Sequence, residues 1–212
     1  YLQKDKFIIA VSGAYGKSTT TAMISKIASD AGLDPTCEIG AKVLDWQSNF
    51  RVGNSKYFIC EADEYNNNFL NFSPDVAIIL NLGWDHPDFF KNKEAVLKSF
   101  KKFIENIKRG GYLVAAREVI DAIGAVRKDI GVVRFEDFGK FNLSIIGDFR
   151  KENAQAALTV AKVLDLDLEE AKRSLAAFTG LGRRLEYKGK IEDVEVYDDY
   201  AVQPYTIKTT AK

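Results

Sequence analysis

Phe7-Ile8-Ile9-Ala10-Val11-Ser12-Gly13-Ala14-Tyr15-Gly16-Lys17-Ser18-Thr19-Thr20 decides how the rest of the chain is read. An apolar run feeds a glycine-bearing turn that ends in Gly-Lys-Ser, and a helix-like segment continues to Ala31. In that order, strand, turn and helix make a cradle for phosphate. The glycines let backbone come close, N–H groups of the turn and first helical turn face the anion, and Lys17 adds a full positive charge. Ser18 offers a hydroxyl to magnesium. The general pattern places its first glycine where this chain has Val11; the glycine stands at Gly13 instead. A plain Gly-Ser-Thr turn with Ser18 or Thr19 capping the helix is the alternative, and the flanking strand and helix favour phosphate.

Working outward, Tyr57-Phe58-Ile59-Cys60 and Val76-Ala77-Ile78-Ile79-Leu80 are short, continuous apolar runs. Each ends in polar residues, Glu61-Ala62-Asp63-Glu64 after the first and Asn81 after the second. Parallel strands buried on both faces read this way, and their carboxyl ends carry function. Trp84-Asp85-His86-Pro87-Asp88 lies just beyond the second run, so a carboxylate and an imidazole are predicted beside the phosphate loop, where they can hold a metal. Taken singly, the acidic run reads as a solvated loop and His86 as a surface or capping histidine; their shared position after buried strands joins them.

Between these, Pro35 to Gly53 is predicted to be an excursion over one sheet edge, with short apolar pieces at Cys37-Glu38-Ile39 and Val43-Leu44. Helices are predicted over residues 91–107, 119–126, 151–164 and 168–178, the last capped by Asp167. Strands are predicted at Tyr112-Leu113-Val114, residues 132–135 and Leu143-Ser144-Ile145-Ile146. After Gly180 the texture changes: two strands around Gly189, then a helix from Tyr205 onward. Strands alternating with helices predict an α/β fold, a mostly parallel sheet flanked by helices.

Composition narrows the function. In 212 residues, 30 basic and 30 acidic side chains cancel, which argues against a nucleic-acid or membrane surface. No apolar stretch reaches bilayer length, and there is no signal-peptide pattern. Two cysteines, Cys37 and Cys60, in apolar strand contexts read as buried free thiols in a reducing cytoplasm. His86 is the single histidine.

Together, Ser12 to Thr19, Asn49-Phe50-Arg51-Val52-Gly53, Glu61 to Glu64, and Asn81 with Asp85-His86 resemble the ATP-binding central domain of the Mur ligases, which build the peptide of the bacterial cell wall. The Glu-Ala-Asp-Glu block is similar to the branch that adds L-alanine to UDP-N-acetylmuramate, or to the relative that attaches recycled murein peptide. Gly147-Asp148-Phe149-Arg150-Lys151-Glu152-Asn153-Ala154 resembles a family segment, Gly-x-His-Asn-x-x-Asn-Ala, that contacts adenine. Gly182-Arg183-Arg184-Leu185-Glu186 and Tyr197-Asp198-Asp199-Tyr200 resemble the start of the third domain.

The resemblance implies a phosphate-loop NTPase-like fold, with the central domain over residues 1–181 and the beginning of a C-terminal domain over 182–212, and no counterpart of the UDP-binding domain ahead of Tyr1. It implies ATP and Mg2+, with a UDP-sugar and an amino acid as substrates of the complete enzyme. Gly13, Ala14, Tyr15, Gly16, Lys17, Ser18 and Thr19 would cradle the phosphates, and Ser18, Glu61 and His86 would serve magnesium. Asn49 joins the nucleotide site, Asn153 meets adenine, Arg184 the phosphates and Asp199 the ribose. Phe149 and Arg150 stand where the family has His and Asn, and Ala201-Val202-Gln203-Pro204 replaces Ala-His-His-Pro, near where the acceptor is read. Folylpolyglutamate synthetase, which shares architecture and chemistry, and a non-catalytic ATP-binding module are the rivals.

Overall fold

The computed structural model describes residues 3–202 and 204–211; Gln203, one of the departures named above, lies outside them, as does Tyr1. A seven-stranded sheet is built from β1 (Phe7–Ser12), β2 (Thr36–Val43), β3 (Ser48–Arg51), β4 (Tyr57–Glu61), β5 (Val76–Ile79), β6 (Tyr112–Ala115) and β7 (Gly131–Arg134). Their order across it is β3-β2-β4-β1-β5-β6-β7, all neighbours parallel except β2 and β3. The mostly parallel sheet flanked by helices is the predicted fold.

Both faces are covered, which is why the strands read as unbroken apolar runs. Along β1, Ile9 and Val11 join a core with helices α1 (Lys17–Asp30), α4 (Phe149–Val163) and α5 (Leu168–Ala176). Ile8 and Ala10 point the other way, into a core with α2 (Lys93–Glu105) and α3 (Arg117–Ile123). The α2 N-terminus is capped by Asn92, whose Oδ1 accepts from Ala95 N at 2.9 Å, and α5 by Asp167, as predicted, from Glu170 N at 2.8 Å. Helix α1 differs from a one-sided amphipathic helix: residues 18–25 are all buried, because α4 and α5 pack on it from outside. The small side chains Ala154, Ala157 and Ala161 of α4 permit that approach.

Three expectations are corrected. Residues 35–53 are not an excursion over the sheet but its edge, the β2–β3 hairpin; Cys37 and Ile39 are buried while Glu38 and Gly40 are exposed, the period of a half-covered strand. Residues 143–146 form no strand: Leu143 and Ile145 pack on the α1-side core, and Ser144 Oγ donates to the Phe178 carbonyl, so the alternation serves a loop lying on the end of α5. Gly189 is not the turn of the last hairpin. It sits inside β8 (Glu186–Ile191) at a register shift against β9 (Val194–Asp198), and the reversal is at Glu192, whose φ is 54°. A short helix α6 (Pro204–Thr210) follows.

Candidate active site

The phosphate loop leaves β1 and enters α1 through Gly16, whose φ of 84° is the left-handed conformation that a side chain disfavours. Asn81, at the end of neighbouring β5, holds the loop from both sides: its Oδ1 accepts from Tyr15 N at 3.2 Å and its Nδ2 donates to Tyr15 O at 3.0 Å. Gly83 lets the following loop close in, since a Cβ there would lie 2.7 Å from that of Ala14. A Cβ on Gly16 would lie 2.6 Å from Asn153 Oδ1, so the N-terminal part of α4 also presses on the loop. Ser18 and Thr19 lie within the first turn of α1, which has no side-chain cap, so they do not do the capping work of the plainer alternative. The N–H groups of that turn are the ones a helix leaves without internal partners, a ready anion site.

Opposite stands an acidic wall at the end of β4. Lys17 Nζ reaches both carboxylate oxygens of Glu64, at 3.0 and 3.1 Å, and lies 3.9 Å from Asp63 Oδ1. Glu64 is 2% exposed; burial pushes its carboxyl up from the ordinary value while the Lys17 charge pulls it back. Glu61 lines the cleft and accepts from Gly40 N at 2.8 Å, which ties the end of β4 to β2. From beyond β5, His86 enters with a φ of 55°, its backbone N donating to Asp85 Oδ1 at 2.7 Å and its ring 4.6 Å from that of Tyr65. One ligand atom each of Asp63, Glu64 and His86 lies within 4.8 Å of the others. Hard oxygens with one imidazole suit magnesium or manganese; the implied set, Ser18, Glu61 and His86, has the same chemistry and lines the same cleft, but shares only His86 with this cluster.

The remaining wall comes from the chain after residue 148. Asn153, Arg184, Asp199 and Tyr200 line the same cleft of about 610 Å3, a size that suits a small-molecule site. Asp199 Oδ2 accepts from Leu185 N at 2.7 Å, and both Arg183 and Arg184 lie over the Tyr200 ring, at 4.9 and 5.5 Å. Arg150, on the first turn of α4, is 1% exposed and donates from Nη2 to the Arg184 carbonyl. Its Nε and Nη1 have no partner among the described residues, and burial lowers its pKa to about 10.

The structure thus gathers Ala14 to Thr19, Glu61, His86, Asn153, Arg184 and Asp199 around one cleft. Gly13, with a φ of 130°, backs the loop against Leu80 and Asn81. Asn49 is not gathered: it lies on β3, the outermost strand, and is not among the lining residues. Sequence reading missed Glu64 as the partner of Lys17 and Arg150 as a buried cation. The Asn66-Asn67 pair, both at left-handed φ, is the turn signal that could have indicated how the acidic run folds back.

The Mur ligase middle domain family matches residues 11–135. The UDP-N-acetylmuramate–L-alanine ligase of Caldanaerobacter subterraneus is 37% identical over 99% of this chain and 52% of its own length. Its counterpart from Clostridium perfringens is 36% identical over 97% and 51%. The chain therefore spans about half the length of the curated relatives it matches. Among solved structures, UDP-N-acetylmuramate-alanine ligase from Thermotoga maritima superposes with a TM-score of 0.80 at 25% identity, over 98% of this chain and 53% of that one.

Proposed function

The chain belongs to the Mur ligase family through its middle domain, and from that premise we propose that it is the ATP-binding core of an ATP-dependent carbon–nitrogen ligase that adds L-alanine to UDP-N-acetylmuramate. The observation that carries the reading is the convergence of Lys17, Glu61 and His86 from the ends of β1, β4 and β5 on one cleft. In such a reaction the substrate carboxylate takes the γ-phosphoryl group of ATP, and the amine of the amino acid then displaces phosphate to form the amide. Charge grows on the transferred phosphoryl oxygens. The open N–H groups of the α1 N-terminus stabilise it without reorganising, because Asn81 already holds the loop, and Lys17 adds its positive charge.

Ser18, Glu61 and His86 would hold magnesium, which would supply further positive charge at the phosphates. Asn153 meets the adenine, Arg184 the phosphates and Asp199 the ribose. Residues 1–181 form the central domain and 182–212 begin the next. In support, Leu181 is the last residue of the shared core, and Gly182 N closes onto Lys42 O at 2.8 Å. Among the described residues no helix is long and apolar enough to cross a membrane, in keeping with a cytoplasmic enzyme.

The test is phosphate release by the full-length enzyme with ATP, UDP-N-acetylmuramate and L-alanine. Lys17→Ala should abolish turnover, by 100-fold or more, while the protein stays folded, since removing one such donor costs roughly 3–4 kcal/mol. Unchanged turnover would remove the assignment. Turnover supported only by murein peptide or by a folate would keep the chemistry and change the substrate.

A further inference from the structure

Lys17 is not waiting free for phosphate. Its ammonium already sits between the two oxygens of Glu64, a carboxylate that is 2% exposed and is not among the residues lining the cleft, although Lys17 and Asp63 are. Glu64 lies behind the wall; one of its oxygens falls within the Asp63–Glu64–His86 cluster, but both are taken by Lys17. Glu64 is also held in place. Its carbonyl accepts from Asn67 N at 3.0 Å, and Phe69 N donates to the Asp63 carbonyl at 2.9 Å. Phe69, fully buried, is wedged against Phe100 and Phe103 with ring centroids 5.1 and 4.7 Å away. The short turn that carries Glu64 is therefore pinned to α2, whereas the lysine has a flexible four-carbon stem, so any change of partner is made by Lys17.

We propose that Glu64 is an internal counter-anion for the phosphate-loop lysine: a positioning residue that occupies Lys17 until nucleotide phosphate competes for it, and that thereby sets nucleotide affinity. The inference rests on the reading of Lys17 as a phosphate ligand. A buried carboxylate stripped of the one cation that pairs with it among the described residues is strongly disfavoured, so phosphate binding bears the loss or sharing of this pair. Neutralising Glu64 removes the competitor and leaves the ammonium to the ligand. The unusual consequence is that a substitution beside the phosphate loop tightens binding.

The experiment is calorimetric titration of the chain with ADP, with and without magnesium, for the parent, Glu64→Gln, Glu64→Asp, Lys17→Ala and the Lys17→Ala/Glu64→Gln double variant, each checked for cooperative thermal unfolding. Glu64→Gln should bind ADP at least fivefold more tightly in both conditions. Glu64→Asp, whose shorter carboxylate reaches Lys17 less well, should do so by a smaller factor, and keeps the test decisive where the glutamine variant does not fold. In the Lys17→Ala background the glutamine substitution should change affinity less than twofold, which separates action through the lysine from a general loss of negative charge. Unchanged or weaker binding by the folded variants overturns the inference. So does equal tightening without Lys17. Weakening confined to the magnesium titration makes Glu64 a metal ligand instead, which also overturns it. If Lys17→Ala binds ADP as the parent does, the phosphate-loop reading falls and the inference with it; if that variant binds weakly while Glu64→Gln and Glu64→Asp match the parent, the inference alone falls.

Discussion

The seven-stranded sheet and the β8–β9 hairpin are both rich in apolar residues, yet they are strands for different reasons. In β1 and β5, Ile9, Val76 and Ile78 are fully buried between helix layers. In the hairpin, Tyr187, Ile191 and Val194 are 54%, 69% and 66% exposed, and what holds the pair together is its own ladder and the contact between the Tyr187 and Tyr197 rings. The first is made by burial, the second by local pairing, which is marginal for two strands alone. The cleft draws on both: the loop, Glu61 and His86 stand on the sheet, while Arg184 precedes the hairpin and Asp199 follows it. Half of the site is rigid and half is lightly anchored.

Truncating the core should separate the two most sharply. Ile78→Ala is expected to cost about 2–5 kcal/mol in denaturant unfolding, whereas Ile191→Ala should cost under about 0.5 kcal/mol. Similar losses would erase the distinction.

Alkali should also act on the sheet alone. Burial raises the Cys37 thiol from 9.0 to about 11 and pushes Cys60 higher still. A raised folded pKa means that this stability is complete below the unfolded value near 9 and is lost as pH climbs from there through the folded one, so with two such thiols unfolding free energy should fall by about 2–3 kcal/mol between pH 8 and pH 10. Replacing both cysteines by alanine should flatten that slope, and hydrogen exchange in residues 186–198 should not follow it.

The mildest effect is expected at Arg150, which joins the two regions through the Arg184 carbonyl. Arg150→Met removes the buried unpartnered donors and the tether together. Global stability should change by less than about 1 kcal/mol, while exchange protection of the hairpin should drop relative to β1 and β5. A hairpin as protected as before would mean the tether does nothing.

The same division governs how much the sequence disclosed. Strands β1, β4 and β5, the loop between β1 and α1, and the placing of Glu61 and His86 at strand ends were legible, because burial on both faces leaves an unbroken apolar run and the ends of such runs cluster. The β2–β3 edge was misread because its alternation, Cys37 and Ile39 in with Glu38 and Gly40 out, is short and bulged between Glu38 and Val43. Which glutamate of Glu61-Ala62-Asp63-Glu64 meets Lys17 depends on a turn whose course is fixed by Phe69 packing on α2, a contact no local pattern reveals. Arg150 stood out in the sequence only as a departure from the family segment, ahead of the predicted helix; its burial comes with the Arg184 carbonyl that it bonds, far along the chain. Asn49 was assigned from a motif, and the antiparallel turn at the sheet edge carries it away from the cleft.

The central position of β1 has a consequence for the newborn chain. This strand obtains its first neighbour, β4, only once residue 61 has been made, and its second, β5, at residue 79. The outer side of α1 stays wet until α4 and α5 emerge, the second of them complete only at residue 176. As it leaves the ribosome, the phosphate-binding segment therefore waits a long interval for its shelter, one in which a holdase chaperone would find apolar surface to grip.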